Sequence, residues 1–261
     1  MRSKIKYKGI KHGLYLLLLV VLPLLSFGDN PVNQLFKKGN EQYAKAKYSE
    51  AIQSYQKILN GGYRSAAVYF NLGNAYYKTG DMPSALLYYE KAHKLTPGDD
   101  DVNFNIQLTD LKITDKIEPT PEFFITKWWH GFILFLSADT LSMLSVLLLM
   151  AGFSALIFYL FTNSLSLKKS SFYAGIVLLI CGIVTIFISN RQVHYFNLHH
   201  QAIVFSSSVT VKSAPGEAAK PLFVVHEGTK VDILQKNESW VEIELPNGNT
   251  GWVASTDVKE I

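Results

Sequence analysis

The chain has 261 residues, of which 48% are hydrophobic, and its mean hydropathy is positive. The apolar residues are concentrated in runs, which excludes an ordinary soluble protein and indicates a chain that meets a lipid bilayer. The formal net charge of +4 comes largely from the first residues, so the composition does not favour nucleic-acid binding. Cys181 is the only cysteine and lies within an apolar run, which excludes an internal disulfide and makes a redox role unexpected.

Residues 1–28 have the form of a secretory signal peptide. Five basic residues precede the apolar segment 14–25, and Ser26 and Gly28 place small residues at the −3 and −1 positions of a cleavage site. An uncleaved anchor is the alternative, but in either case the positive charge holds the N-terminus inside and predicts export of the chain beyond this segment. No cysteine follows the apolar segment, so a lipid-modified N-terminus is not expected.

Residues 29–117 contain a sequence repeat with a period of 34 positions. Glycine, alanine and tyrosine recur at this offset, in the pairs Gly39 and Gly73, Ala51 and Ala85, and Tyr55 and Tyr89. The period and the residue types resemble the tetratricopeptide repeat, which implies helical hairpins stacked into a solenoid. The small residues are expected where two helices touch, because a larger side chain would push the backbones apart. Two ordinary amphipathic hairpins are the alternative.

Two repeats are clear, and the first is the weaker because Lys38 occupies the position of Leu72. A third unit is reduced to one helix. We predict that it starts at the aspartates 99–101, since carboxylates suit a helix N-terminus, and that it runs to about Lys116. The aspartates lack the ligand spacing of a calcium site, so no calcium is expected there.

In tetratricopeptide repeats the first helix of each hairpin lines the concave surface. The resemblance places two identical triads of candidate partner-binding residues on that surface, namely Phe36, Asn40 and Tyr43, and Phe70, Asn74 and Tyr77. An asparagine between two aromatic rings can hydrogen-bond a peptide backbone while the rings hold its side chains. The alternative is that the rings only pack against neighbouring helices. Phe36 and Phe70 stand where co-chaperone repeats use lysine to bind a terminal carboxylate, so an acidic C-terminal tail is not the expected ligand.

Three apolar segments follow the repeats. Residues 122–137 are rich in aromatic side chains and are predicted to form an interfacial helix, although packing on the repeats as a closing element is the alternative. Residues 139–162 and 172–190 each approach the ~20 residues needed to cross a hydrocarbon core, and are predicted to span it as a helical hairpin. The loop between them carries Lys168 and Lys169, and short basic loops stay in the cytoplasm. The regions before and after the hairpin are therefore expected on the exported side.

Residues 202–261 change to short alternating strands separated by turn residues, which predicts a small β domain. Gly-Thr-Lys-Val, Ser-Trp-Val and Gly-Trp-Val segments begin at Gly228, Ser239 and Gly251. Their order and spacing resemble a bacterial SH3-like barrel. The aromatic groove with which eukaryotic SH3 domains bind proline-rich helices is poorly represented here, so that ligand is not expected.

Two local features of the β domain are predicted from its sequence. Asn247 and Gly248 favour a tight type I′ hairpin, in which both central residues have positive φ. Val241 and Ile243 are separated by two positions and are expected to share the core face of one strand.

The sequence carries no recognisable catalytic motif, since a P-loop, an HExxH motif, a nucleophile elbow and a recognisable pair of catalytic carboxylates are all missing. His194, His199 and His200 cluster after the second apolar span. A metal site is conceivable at that spacing, but solvated residues at the membrane edge are the expected interpretation. We therefore expect no catalytic residue, no metal, no cofactor and no enzymatic activity.

The order of these segments resembles BatE, a family of the Bat aerotolerance group of Bacteroidetes and spirochaetes. The resemblance covers the whole chain and rests on the domain order and the repeat motif, although many repeat proteins carry three or more units. It implies an inner-membrane protein whose folded domains face the periplasm. It also implies an assembly with von Willebrand factor A-type membrane proteins that is linked to oxidative stress.

The expected fold is thus an α+β multidomain membrane protein with a helical repeat solenoid, a two-helix transmembrane hairpin and a small SH3-like β-barrel. The expected function is that of a non-enzymatic scaffold that recruits a protein partner at the periplasmic face. The alternative is a cell-wall module, in which the SH3-like domain binds peptidoglycan.

Overall fold

Five helices form the repeat region in a computed structural model that describes residues 31–261. They are α1 (Pro31–Ala44), α2 (Tyr48–Asn60), α3 (Ala66–Thr79), α4 (Met82–Leu95) and α5 (Asp100–Asp110). The predicted signal peptide, residues 1–28, lies outside the described residues. Ser65, Asp81 and Asp99 cap α3, α4 and α5, since each side chain accepts a hydrogen bond from a backbone N–H of the first turn. Successive helices pack on each other along the chain, as expected for a solenoid.

The helix contacts predicted at Gly39 and Gly73 are confirmed. A Cβ atom on Gly39 would lie 2.5 Å from Cε1 of Tyr55, and one on Gly73 would lie 2.7 Å from Cδ1 of Tyr89. Both tyrosines are buried, with exposed fractions of 1%. Each glycine is therefore covered by a ring from the second helix of its own hairpin, and a larger residue would displace that ring.

Helix α5 ends at Asp110, before its predicted end near Lys116, because the next residues bind the β domain. Asp115 accepts hydrogen bonds of 2.7 Å from the backbone N–H of His226 and from the hydroxyl of Thr229. The buried side chain of Ile113 packs directly over Gly228. Burial of this apolar side chain and pairing of the Asp115 carboxylate favour the turn over further helix.

Three helices follow: α6 (Phe124–Ile133), α7 (Ala138–Phe161) and α8 (Leu165–Leu198). Helices α7 and α8 are long and apolar enough to cross a membrane. Three residues join them, so Lys168 and Lys169 lie in α8 and not in the loop that the sequence predicted over residues 163–171. Helix α8 also continues past residue 190. The sequence explains both extensions, because neither flank of the apolar run contains a glycine or proline that would end the helix.

Glycines allow α7 and α8 to approach closely. A Cβ atom on Gly152 or on Gly175 would lie 2.8 Å from a leucine side chain of the opposite helix. Beyond the apolar region, the buried amide of Gln192 donates hydrogen bonds of 2.7 Å to the carbonyl oxygens of Ile133 and Leu136. The extended end of α8 thereby holds the connection between α6 and α7, while the outward apolar side chains of the hairpin are exposed.

Seven antiparallel strands form the β domain in the order β3-β2-β6-β5-β4-β1-β7. They are β1 (Gln201–Val204), β2 (Ser208–Lys212), β3 (Pro221–His226), β4 (Lys230–Asn237), β5 (Trp240–Glu244), β6 (Thr250–Ala254) and β7 (Val258–Glu260). Most of its core side chains are valines. Val241 and Ile243 are both buried in this core, which confirms their predicted common face. The helical repeats, the two apolar helices and the SH3-like sheet together confirm the predicted α+β fold class.

The turn at Asn247 and Gly248 differs from the predicted type I′ geometry. Gly248 has φ of +84°, but Asn247 is not among the residues with positive φ. The N–H of Gly248 donates to the carbonyl of Leu245 at 2.8 Å, and Leu245 donates to the carbonyl of Asn249 at 2.9 Å. Pro246 accounts for the difference, because its fixed φ suits the first central position of an ordinary turn and moves the left-handed residue one position further on.

The repeat region docks on the β domain through α4. Leu86 and Leu87 of α4 are buried together with Ile203 of β1. At the edge of this contact the Lys230 ammonium lies 2.8 Å from the Glu90 carboxylate, which is itself almost fully buried. A buried carboxylate requires such a partner, so the contact fixes how α4 meets the sheet.

Candidate partner-binding groove

Asn40, the asparagine of the first predicted triad, lies on α1 and is hydrogen-bonded to other helices. Oδ1 of Asn40 accepts a hydrogen bond of 2.7 Å from the Tyr55 hydroxyl and one of 3.0 Å from Nδ2 of Asn71. Burial, reinforced by Tyr43, raises the pKa of Tyr55 to about 12, so the phenol stays protonated and acts as a donor. Two donors on one oxygen orient the amide and leave Nδ2 of Asn40 as the free donor.

The same arrangement recurs one repeat later around Asn74 of α3. Its Oδ1 accepts a hydrogen bond of 2.7 Å from the Tyr89 hydroxyl and one of 3.3 Å from Nδ2 of Asn105. Nδ2 of Asn40 and Nδ2 of Asn74 have no hydrogen-bond partner within residues 31–261. The repeat region thus presents two amide donors that are held in equivalent positions by equivalent partners.

A small cavity of about 170 Å³ lies at the first of these asparagines. Its lining combines three of the predicted residues with two others, and consists of Asn40, Tyr43, Asn74, Tyr55 and Asn71. The walls offer the side-chain amides of three asparagines and the rings of two tyrosines. That combination suits a polar backbone with an adjacent side chain more than an isolated apolar ligand.

The two phenylalanines of the triads lie against the tyrosines that hold the asparagines. Ring centroids are 6.1 Å apart between Phe36 and Tyr55, and 5.9 Å apart between Phe70 and Tyr89. Both phenylalanines are only partly exposed. These distances are those of packed aromatic pairs, so the phenylalanines support the tyrosines, and neither of them lines the cavity at Asn40.

Tyr77, the last residue of the second triad, has its ring face covered by a cation. The Lys112 ammonium lies 4.1 Å from the centroid of the Tyr77 ring. Lys112 follows α5, so this contact brings the start of the linker to the β domain against the end of the groove. Tyr77 therefore joins the second repeat to the segment that follows α5.

Sequence reasoning missed Tyr55, Asn71 and Asn105 as parts of this surface. Each had a detectable signal, because Asn71 and Asn105 are themselves 34 positions apart and Tyr55 recurs as Tyr89 at the same offset. The two asparagines lie off the predicted stripe of the first helices, and Tyr55 lies on a second helix. Their actual role is to join one helix of the solenoid to another.

A larger cavity of about 910 Å³ lies between the segment 110–122, the end of α8 and the β domain. At its edge, burial and the nearby charge of Glu90 raise the pKa of Asp110 to about 6. Lys230, which also lines the cavity, is paired with Glu90. Two of the polar residues that line the cavity join parts of the molecule, namely Lys230 through Glu90 and Asp115 through His226.

The three clustered histidines lie at and just after the end of α8, where Nδ1 of His199 is 2.8 Å from the carbonyl oxygen of Tyr195. No group of three metal-binding side chains occurs among the described residues.

On the β domain, Leu222, Val224 and Leu234 are exposed apolar residues, whereas Trp252 is buried. The β1 side of the sheet is covered by α4.

Comparison with known proteins identifies the two folded regions. Residues 36–100 match the family model for the tetratricopeptide repeat, and residues 207–259 match the model for the bacterial SH3 domain. A segment of 61 residues is 39% identical to the Hsp70-Hsp90 organizing protein of Triticum aestivum. That match covers 23% of this chain and spans only 10% of the length of the wheat protein.

Two solved structures are also similar to parts of the chain. The C-terminal SH3 domain of myosin IB from Entamoeba histolytica is 28% identical, with 24% of this chain and 93% of that chain covered and a TM-score of 0.18. The Sgt2 TPR domain from Aspergillus fumigatus is 15% identical, with 66% and 86% covered and a TM-score of 0.30. The family models are the matches that identify the regions: this chain contains a tetratricopeptide-repeat region and a bacterial SH3 domain.

Proposed function

We propose that the chain is a non-enzymatic, membrane-anchored scaffold that binds an extended segment of a partner protein in the concave groove of its repeats. The observation that carries the proposal is the repeated asparagine arrangement. Oδ1 of Asn40 and of Asn74 is occupied by internal donors, which leaves two Nδ2 groups as donors on one surface. Every extended peptide offers backbone carbonyl acceptors, so two donors one repeat apart suit a segment that runs along the groove.

The aromatic residues of the groove supply the rest of the contact. Tyr43 lines the cavity beside Asn40, and Tyr77 stands beside Asn74 on the next repeat. Tyrosine provides a large contact area with few rotatable bonds and a polar tip, which suits a surface that holds side chains of a partner. Backbone hydrogen bonds give affinity with little sequence preference, and the rings add selectivity for the side chains between them.

Helices α7 and α8 are proposed to cross the inner membrane, with α6 lying in the interface. The support for this position of α6 is the exposure of its aromatic side chains. Phe124 and Trp128 are 71% and 69% exposed, so these rings do not pack on the repeats, and the segment meets the repeats only after α6, where the backbone of Phe135 lies against Gly98. Aromatic rings with polar edges favour the headgroup zone, and α6 ends only a few residues before the apolar helix α7.

The periplasm is the proposed location of both folded domains, and Bat-type von Willebrand factor A-type membrane proteins are the proposed partners. Two observations support this. The basic residues before segment 14–25, together with Lys168 and Lys169, give one consistent orientation. The order of repeats, apolar hairpin and bacterial SH3 domain is also that of BatE, whose group is linked to aerotolerance and oxidative stress.

The test removes the donors while it keeps the internal hydrogen bonds. Asn40→Asp with Asn74→Asp retains the oxygen that accepts from Tyr55 and Tyr89, but replaces the free amide with an acceptor. Each lost hydrogen bond to a ligand costs about 1 kcal/mol, so the double variant should bind its partner at least ~10-fold more weakly. The assay is co-purification and titration of a co-expressed von Willebrand factor A-type membrane protein with the full chain in detergent.

The matched control is Gln53→Glu with Asn60→Asp, which adds the same two charges on exposed positions of α2. This control should bind as the wild type does. Alanine is a poorer choice at the groove positions, because it would leave the buried tyrosine hydroxyls unpaired and disturb the fold. Equal binding by the aspartate variant and the control would contradict the proposal.

Peptidoglycan binding through the bacterial SH3 domain is the second candidate function. The match of residues 207–259 to the bacterial SH3 model supports it, as does the exposed apolar surface around Leu222 and Val224. Purified sacculi and membrane extract should be compared as baits for the full chain. This function would be favoured over the first if the chain is retained on sacculi and Leu222→Asn with Val224→Asn abolishes that retention. The retention should then not depend on Asn40 and Asn74.

A further inference from the structure

The 34-residue period continues past the second triad and defines a third. Counting 34 positions on from Phe70, Asn74 and Tyr77 leads to Phe104, Leu108 and Leu111 on α5 and its C-terminal cap. The first position keeps its phenylalanine. The asparagine and the tyrosine are both replaced by leucine, so the third level of the groove is apolar where the first two offer an amide and a phenol.

The third level is also open. In the first two hairpins the phenylalanine packs on a tyrosine of the second helix. After α5 the described chain turns into the β domain, and no helix within residues 31–261 takes the place that α2 and α4 hold in their hairpins. Phe104 and Leu111 are consequently 63% and 74% exposed. They form an apolar stripe with Leu108, at the spacing of one helix face.

This stripe is continuous with the groove. Asn105, which follows Phe104, donates the hydrogen bond that holds Asn74. Lys112, which follows Leu111, lies over the ring of Tyr77. The residues next to both ends of the stripe therefore contact the second level, and a segment lying on Asn74 and Tyr77 would meet the stripe next.

We infer that the partner segment carries a bulky apolar side chain, which lies on Phe104, Leu108 and Leu111 while its backbone is bound at Asn40 and Asn74. This inference rests on the proposed function and names the chemistry of the partner at the same site. The backbone contacts would hold any extended chain, whereas the apolar level selects among sequences. A leucine, isoleucine, phenylalanine or methionine gains from burial there, and a charged residue would lose its hydration.

The test uses the full chain in detergent and a phage library of random 12-residue peptides as the probe. Wild-type protein should enrich peptides with a bulky apolar residue at one fixed position. Replacing that residue by alanine in an enriched peptide should weaken binding at least ~10-fold, from the burial of one large side chain. The decisive variant is Leu108→Asn with Leu111→Tyr, which restores the residue types of the first two levels.

This variant should still enrich peptides but should lose the apolar preference, and it should bind the enriched peptide and its alanine version equally well. Leu234→Asn, which changes an exposed leucine of β4, is the matched control and should keep the preference. The inference would be overturned if the peptides enriched by the wild type share no position with an apolar residue, or if the apolar preference survives in the variant. Either result would leave the proposed function standing.

Two further outcomes also decide the question. A wild-type protein that enriches no peptide would overturn both the inference and the proposed function. If the wild type dimerises in sedimentation analysis and the variant with Leu108→Asn and Leu111→Tyr does not, a second copy of the chain covers the stripe. That result would overturn the inference while leaving binding at Asn40 and Asn74 to be measured separately.

Discussion

The contact between Gly73 and Tyr89 predicts that even one added methyl group will destabilise the better repeat. A Cβ atom at position 73 would lie 2.7 Å from Cδ1 and Cε1 of Tyr89 and 3.1 Å from Cγ. The ring is 1% exposed, and its hydroxyl is held at 2.7 Å by Oδ1 of Asn74. Gly73→Ala therefore forces the ring to move and strains the hydrogen bond that orients the amide donor.

Two unfavourable terms and one favourable term set the expected change in the free energy of unfolding. Overpacking a tight contact costs about 1–3 kcal/mol, and weakening the hydrogen bond to Asn74 costs on the order of 1 kcal/mol. Alanine recovers up to about 1 kcal/mol over glycine in a helix interior. The net expectation is a loss of about 1–3 kcal/mol from the local stability of α3 and α4.

Hydrogen exchange measured by mass spectrometry on the full chain is the appropriate assay, because it reports the opening of each segment separately. In Gly73→Ala, protection of segment 66–95 should fall by about 10- to 100-fold. Gly131→Ala is the matched control, since a Cβ atom at position 131 meets nothing within 4 Å. Unchanged protection of segment 66–95 in Gly73→Ala would refute the ring-on-glycine account of the repeat core.

Three further predictions concern how the parts of the molecule are joined and oriented. Asp115→Ala leaves the backbone N–H of His226 unpaired and should cost on the order of 1–3 kcal/mol, seen as faster hydrogen exchange where segment 111–120 meets the β domain. Burial raises the pKa of Asp115, but the hydrogen bonds from His226 and Thr229 outweigh it and the net pKa is lowered. The stabilisation is therefore complete above about pH 4 and is lost as the pH falls through the lowered pKa, so wild type and Asp115→Ala should converge in acid. Protease added to spheroplasts should remove both folded domains, and their survival until permeabilisation would contradict the periplasmic orientation. Brominated lipids should quench the tryptophan fluorescence of the wild type more than that of Trp128→Phe, and equal quenching would remove α6 from the interface.

The repeat region was predictable because its signal is periodic. The offset between Gly39 and Gly73 identified both the hairpins and the positions where the helices touch, since only a small residue fits beneath Tyr55 or Tyr89. The two apolar helices were predictable from the lengths of their apolar runs. Their ends were not, because Lys168 and Lys169 are compatible with a loop as well as with a first helical turn.

Contacts between residues far apart in sequence were not predictable. Glu90 pairs with Lys230, and Asp115 binds His226, but no motif links the two residues of either pair. Their pairing depends on how α4 meets the sheet. The end of α5 was mispredicted for the same reason, since contacts with the β domain, and not a helix-breaking residue, stop the helix.

At the candidate site, the sequence identified the asparagines but not what holds them. Asn40 and Asn74 were predicted only as groups that can bind a peptide backbone, whereas the structure shows their oxygens engaged by a tyrosine of the next helix and by an asparagine of the helix after it. The difference matters for experiments, because alanine removes an internal hydrogen-bond acceptor along with the donor. Aspartate removes the donor and keeps that acceptor, and the charge that it adds is matched by the control with Gln53→Glu and Asn60→Asp.

The most direct test of the central claim is photocrosslinking from the groove in native membranes. A benzophenone amino acid introduced at Tyr43 and, separately, at Tyr77 should crosslink the same protein partner. The crosslink should disappear when Asn40→Asp and Asn74→Asp are also present, and it should not form from Tyr63, which is exposed but lies outside the triads. A partner that crosslinks equally well with the aspartate changes present, or that crosslinks only from Leu222 on the β domain, would contradict binding in the groove.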